Sequence, residues 1–241
     1  MQPWLNLLRA VSLLCASSAL IAQNSSLPQL GDLGRLAGNA TLSDTKIASG
    51  LKQALSVGTK KAVSLVDKPG GYLDNQAIKI LLPKSLQPAE GLLRSAGQGP
   101  RIDGFIVSMN HAAESAAPAA EQIFADAVTA MSIDDARKLL NGGDTSITEY
   151  FKSKTSTQLA TAFRPSVEKA MNQNEVTQQY QALAGNLPQL PFMKSSPFDI
   201  DTYVVNQALN GLFYMLAQQE REIRNNPAAR STALLKQVFG H

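Results

Sequence analysis

Asp199-Ile-Asp-Thr-Tyr-Val-Val-Asn-Gln-Ala-Leu-Asn-Gly-Leu-Phe-Tyr-Met-Leu216 is the stretch on which the fold class turns. Val205, Ala208, Leu209, Leu212, Phe213 and Leu216 recur at three- and four-residue steps, which draws one broad apolar stripe along a helix. Asp199 or Asp201 can accept hydrogen bonds from the first free amides, so the helix has its start signal as well. Four residues apart beyond the stripe, Glu220 and Arg224 read as an exposed ion pair. Asn226-Pro227 then supplies an N-cap and a proline at the first helical position, predicting a short terminal helix through Val238.

Working back toward the amino terminus, the same periodicity keeps returning. Leu159, Phe163, Val167 and Met171 place one apolar residue per turn, with Pro165 among them. A preceding segment carries Ile147, Tyr150 and Phe151 behind a Thr145 cap. Ser132 with Asp135 three residues on has the form of a capping box, and Asp134 stands four before Lys138, so residues 132–140 read as a helix closed by Asn141-Gly-Gly143. Helical spacing also covers 86–96 and 102–131, the latter divided at Pro118, and 47–66 behind a Ser43 cap. Lys68-Pro69-Gly70-Gly71 stops that first helix, because proline cannot continue the hydrogen bonding and glycine accepts positive φ. Only Ala77-Ile-Lys-Ile-Leu-Leu-Pro83 reads as a short extended piece, limited to an edge by Pro83, and one such piece builds no sheet. A polar segment from 172 to 181 and a proline-spaced stretch from 187 to 197, packing through Leu190 and Phe192, join the last two long helices. The pattern predicts an all-α chain: a single multi-helix domain over 41–241, with at most a short extended segment near 77–83.

Residues 1–22 read differently. Arg9 precedes the apolar run Ala10–Ala22, and Ser17, Ala19 and Ala22 offer small residues for a signal peptidase before polar Gln23-Asn24-Ser25-Ser26. The run is broken by serines and is shorter than the roughly 20 apolar residues of a membrane span, so it predicts a cleaved export signal, an uncleaved anchor being the alternative. Residues 23–40, rich in Ser, Gly, Asn and Pro, read as a flexible leader. Cleavage removes Cys15, the one cysteine of the 241 residues. A cysteine-free mature chain excludes disulfides, thiolate metal sites and cysteine nucleophiles, and points to a bacterial periplasm. The formal net charge of +3 comes from scattered rather than clustered basic residues, which speaks against nucleic acid as a partner.

Six stretches, in order, carry a family resemblance: Lys68-Pro-Gly-Gly-Tyr-Leu73, Ile80-Leu-Leu-Pro83, Met109-Asn-His-Ala-Ala-Glu114, Thr148-Glu-Tyr-Phe151, Ala208-Leu-Asn-Gly-Leu-Phe213 and Ile223-Arg-Asn-Asn-Pro-Ala-Ala-Arg-Ser-Thr232. Together they resemble an uncharacterised family of bacterial exported proteins known only as a domain of unknown function. The resemblance implies an exported, mostly helical, periplasmic domain and brings no activity with it. His111 stands where that family usually carries arginine, which argues against an essential imidazole.

The residues offer few chemical constellations. Asn110, His111 and Glu114 share a helix face, but a zinc site needs three or four protein ligands and the other histidine is the terminal His241. No metal or cofactor is predicted. Lys68, Gly70, Gly71 and Tyr72 can form a concave nest of amides beside a cation, suited to a carboxylate or phosphate, and equally a plain helix stop. The run lacks the ending of a P-loop, and Gly97-Gln-Gly99 lacks a dinucleotide fingerprint. No G-x-S-x-G elbow or S-x-x-K set accompanies residues such as Ser64 and Ser132. The pairs Asp134-Asp135 and Asp199/Asp201 precede helices, where acids cap amides, and Arg230 fits helix initiation or an anionic partner. These residues predict a non-catalytic exported domain of the envelope that binds a protein, an envelope component or a small ligand. An envelope hydrolase with an unrecognised carboxylate or serine site, and a homo-oligomeric structural protein, are the alternatives.

Overall fold

A computed structural model of the chain describes residues 44–173, 199–230 and 232–239. In chain order the helices are α1 (Asp44–Val66), α2 (Gln87–Ser95), α3 (Gly99–Ala116) and α4 (Ala120–Ala130), with a 3-10 turn at Ala117–Ala119 between the last two. Then come α5 (Ile133–Leu140), α6 (Ser146–Gln173), α7 (Ile200–Asn225), a 3-10 turn at Pro227–Ala229, and α8 (Ala233–Phe239). No strand occurs among the described residues. The fold is all-α. The export signal, the leader, the Ser43 cap, Leu190, Phe192 and His241 lie outside the described residues.

Helix α6 is one element of 28 residues where the spacing predicts two. Ile147, Phe151, Thr155, Leu159, Phe163, Val167 and Met171, one every four residues, are all buried, so core contact is unbroken from end to end. Such a row is inclined to the helix axis and packs as a ridge between the side chains of crossing neighbours. Helix α6 accordingly lies against α3, α4 and α7. Pro165 is inside it but faces solvent.

The stripe on α7 is buried as its periodicity predicts, from Val205 to Leu216. Phe124 of α4 meets Phe151 of α6 edge to face at 5.3 Å and Phe213 of α7 at 6.2 Å, a favoured geometry for aromatic pairs. Helix α1 closes the other side of this core against α4, α5, α7 and α8, while α2 leans on α3.

Local signals decide the ends. Ser132 and Asp135 form the reciprocal capping box of α5, although Asp134 pairs with Arg137 at 3.5 Å rather than with Lys138. Asp199, not Asp201, caps α7 by accepting from the Thr202 amide. Asn226 caps only the 3-10 turn, and the Thr232 hydroxyl takes the Leu235 amide at the start of a separate α8. The expected single terminal helix is divided because Arg230 leaves helical geometry between the two pieces, at φ −79° and ψ 78°.

Candidate functional site

Most of the predicted site residues converge on the non-helical strap, residues 67–86, that joins α1 to α2. The turn at its start is built by two glycines for different reasons. Gly70 sits at φ +79°, where side chains are rarely tolerated, and a methyl group on Gly71 would fall 2.6 Å from the Val66 carbonyl oxygen. The Gly71 amide closes the turn on the Lys68 carbonyl at 2.8 Å. Tyr72 is thereby aimed inward. Its ring is fully buried against Gly211 of α7, where a methyl group would come within 2.5 Å of the ring. Its hydroxyl donates to the Ala208 carbonyl at 2.6 Å. Burial, helped by the Glu114 charge, pushes the phenol far above its ordinary range, so it acts as a neutral donor.

One turn apart on α3, Asn110 and Glu114 face the strap. Glu114 Oε1 accepts from the amides of Tyr72 at 3.0 Å and Leu73 at 3.2 Å. The sequence suggested that the glycine turn could cradle an external carboxylate or phosphate; the amides just past it hold a carboxylate of the chain itself. Asn110 does the same farther along the strap, at Ile80. Its Oδ1 accepts from the Ile80 amide and its Nδ2 donates to the Ile80 carbonyl, both at 2.8 Å, and Nδ2 also reaches the Ile106 carbonyl at 2.7 Å. From α7, the Tyr203 hydroxyl donates to the Leu81 carbonyl at 2.9 Å. Thus Gly70, Gly71, Tyr72, Asn110 and Glu114 form one buried polar cluster that pins the strap. His111 stands at its rim, half exposed, with Nε2 4.0 Å from Glu114 Oε2. Lys68 is exposed at the lip of the turn.

Arg230 belongs elsewhere. Its guanidinium donates to the Ile223 and Arg224 carbonyls, at 3.0 and 2.8 Å, and so satisfies the end of α7. Beside it, Glu220 and Arg224 correct the expectation of an exposed pair: their side chains are 2% and 10% exposed. Glu220 accepts from the amides of Ile147 and Thr148 and from the Thr148 hydroxyl, at 3.0, 2.8 and 2.8 Å, replacing the predicted Thr145 cap at the start of α6. Arg224 bonds Glu220 at 3.1 Å and donates to the Leu139 and Leu140 carbonyls at the end of α5, at 2.7 and 3.1 Å. One residue pair on α7 therefore terminates two other helices. The signal was present in the sequence, since 220 and 224 continue the four-residue row from Leu212 and Leu216.

A third polar group joins α6 to the start of α7. Hydrogen bonds from Thr202 lower the Asp199 carboxyl below its ordinary value, whereas burial, with Asp199 and Glu168 nearby, raises that of Asp201. Asp201 Oδ1 is buried without a hydrogen-bond partner. Among the described residues no group of three or more His, Cys, Asp or Glu is arranged to hold a metal. An apolar crevice between α1, α7 and α8, bordered by Leu55, Gly58, Leu216 and Phe239, has a volume of about 20 Å³, room for little more than one water. None of the described helices is long and apolar enough to cross a membrane.

No curated protein and no solved structure matches the chain. A model of a protein family, described as a protein of unknown function (DUF4197), matches residues 41–240. That span contains every described helix, the strap cluster and the Glu220–Arg224 cluster, and the chain belongs to the DUF4197 family.

Proposed function

We propose that this is an exported, non-catalytic helical domain of the bacterial envelope that meets a partner through the outer face of the strap. The export and periplasmic part of the reading rests on residues 1–22 of the sequence. The interaction part rests on one observation: the strap is fixed from beneath by Asn110 and Glu114. A loop held this way presents its outward side chains in one geometry and avoids the ordering cost of binding. Those outward groups include Lys68, Asp74 and Leu81, the last 53% exposed, with His111 beside them. The polar groups beneath act on the chain's own backbone, as the Tyr72 hydroxyl does on Ala208, which favours binding over hydrolysis.

The test is site-specific photocrosslinking in the native host. A photoreactive residue at position 81 should give a discrete heterologous adduct that is lost when Lys68→Glu is added. The same probe at the exposed Glu149 position on α6 should give none. Equal adducts at both positions, or none at either, would sink the strap as the contact face, and an adduct of twice the chain's mass would replace the partner with a second copy.

A further inference from the structure

We propose that Asn141 is a site of spontaneous conversion of carboxamide to carboxylate, and that the conversion loosens the α5–α6 junction. The sequence has two Asn-Gly steps, Asn141-Gly142 and Asn210-Gly211. In such a step the backbone nitrogen of the glycine attacks the asparagine Cγ, forming a five-membered succinimide and expelling ammonia. Water then opens the ring at either carbonyl, leaving aspartate or isoaspartate. Water is the sole co-reactant. A glycine after the asparagine leaves the attacking nitrogen unshielded, and Gly142 is fixed by packing, since a methyl group there would fall 2.5 Å from Ser146 Oγ and 2.6 Å from its Cβ.

The two sites differ in what must open before attack. Gly211 is buried in the middle of α7 beneath the Tyr72 ring, so its nitrogen is held by an intact helix. Asn141 is exposed and lies just past the end of α5. The bonds that hold its carboxamide and the following amide are those from Asn141 Nδ2 to the Arg137 carbonyl, 3.1 Å, and from the Gly142 amide to the Leu139 carbonyl, 3.2 Å. Breaking them frays one helix end and leaves the core intact.

The product conflicts with its surroundings. A carboxylate at 141 loses the Nδ2 donor and adds negative charge at the negative end of a helix dipole. Isoaspartate also lengthens the backbone by one carbon, beside the Leu139 and Leu140 carbonyls that Arg224 holds.

The experiment is incubation of the purified full chain at mildly alkaline pH, with peptide mapping that separates aspartate from isoaspartate. Conversion should be several-fold faster at 141 than at 210, and Asn141→Gln should abolish it there. Conversion at 141 no faster than at 210 would overturn the site. A chain carrying Asn141→Asp should melt below the unmodified chain while Asn141→Gln melts near it; equal melting of all three would overturn the proposed loosening.

Discussion

Replacing Glu114 with alanine tests whether the strap cluster serves the fold or a ligand. In the native chain Oε1 accepts two backbone amides, Tyr72 in a buried setting and Leu73 in a partly buried one. Removing the carboxylate leaves both without a partner. An unsatisfied buried amide costs about 1–3 kcal/mol and a partly wet one less, so the loss should be about 2–4 kcal/mol. For a domain of this size each kcal/mol moves the melting temperature by about 2–4 °C, which predicts a fall of about 5–15 °C. Glu114→Gln separates charge from geometry. Its amide oxygen can accept the same two bonds, so it should lose only about 1 kcal/mol. Circular dichroism melts measure both variants, and limited trypsin cleavage after Lys79 and Lys84 reports whether the strap itself has loosened. A Glu114→Ala protein that melts like the unmodified chain, with the strap equally protected, would refute the pinning role. If it also lost the crosslink from position 81, Glu114 would belong to the contact face.

Arg224→Ala should cost about 3–5 kcal/mol, because it leaves the buried Glu220 carboxylate without its cation and frees two helix-end carbonyls. Arg224→Lys, which cannot span the same acceptors, should fall between that and the unmodified chain in urea unfolding. Asp201→Asn should raise stability by about 0.5–1 kcal/mol at neutral pH, the group being partly exposed and screened. The sign follows from the raised folded pKa. The carboxyl's favourable contribution is present below the unfolded value and lost as pH rises through the folded one, so the ionised group carries the penalty at pH 7. The advantage of the variant should vanish below about pH 4 in a pH series of melts. Arg230→Ala should lower the melting temperature by several degrees and Lys68→Ala should leave it unchanged, since the first caps α7 and the second is exposed.

The helices were legible because each announces itself locally. The stripe from Val205 to Leu216, the Ser132–Asp135 box and the glycines after α1 are signals within a few residues of the structure they specify. What failed was long-range. Thr145 is a sound local cap, yet the α6 amides are taken by Glu220, more than seventy residues away in the chain. Glu220 and Arg224 satisfy the rule for a surface pair four apart, and only their place on the continuing apolar row marks them as buried. At the strap, Asn110 and Glu114 stood out by type and spacing. Their acceptors and donors, 30 to 42 residues distant, do not follow from any periodicity.

The strap also explains how an all-α protein keeps one buried segment without helical hydrogen bonding. Ile78, Ile80 and Leu82 are buried while Leu81 faces out, but the Ile78 and Lys79 amides both bond the Asn75 carbonyl, at 3.1 and 2.8 Å, so the piece expected to be extended from 77 begins as a turn and no strand follows it. Buried backbone groups in such a segment need partners that a lone strand cannot provide. At Ile80 the Asn110 carboxamide supplies both, one acceptor and one donor, in the manner of a neighbouring strand. Glutamate at 114 completes the clamp one helical turn later. Each of the two side chains has a definite task in holding the backbone, which accounts for their chemistry without a ligand. Lys68, Leu81 and His111 have no comparable task on the strap backbone. A partner that reads this protein would therefore read those three, and substitutions there should alter binding while leaving the melting temperature where it is.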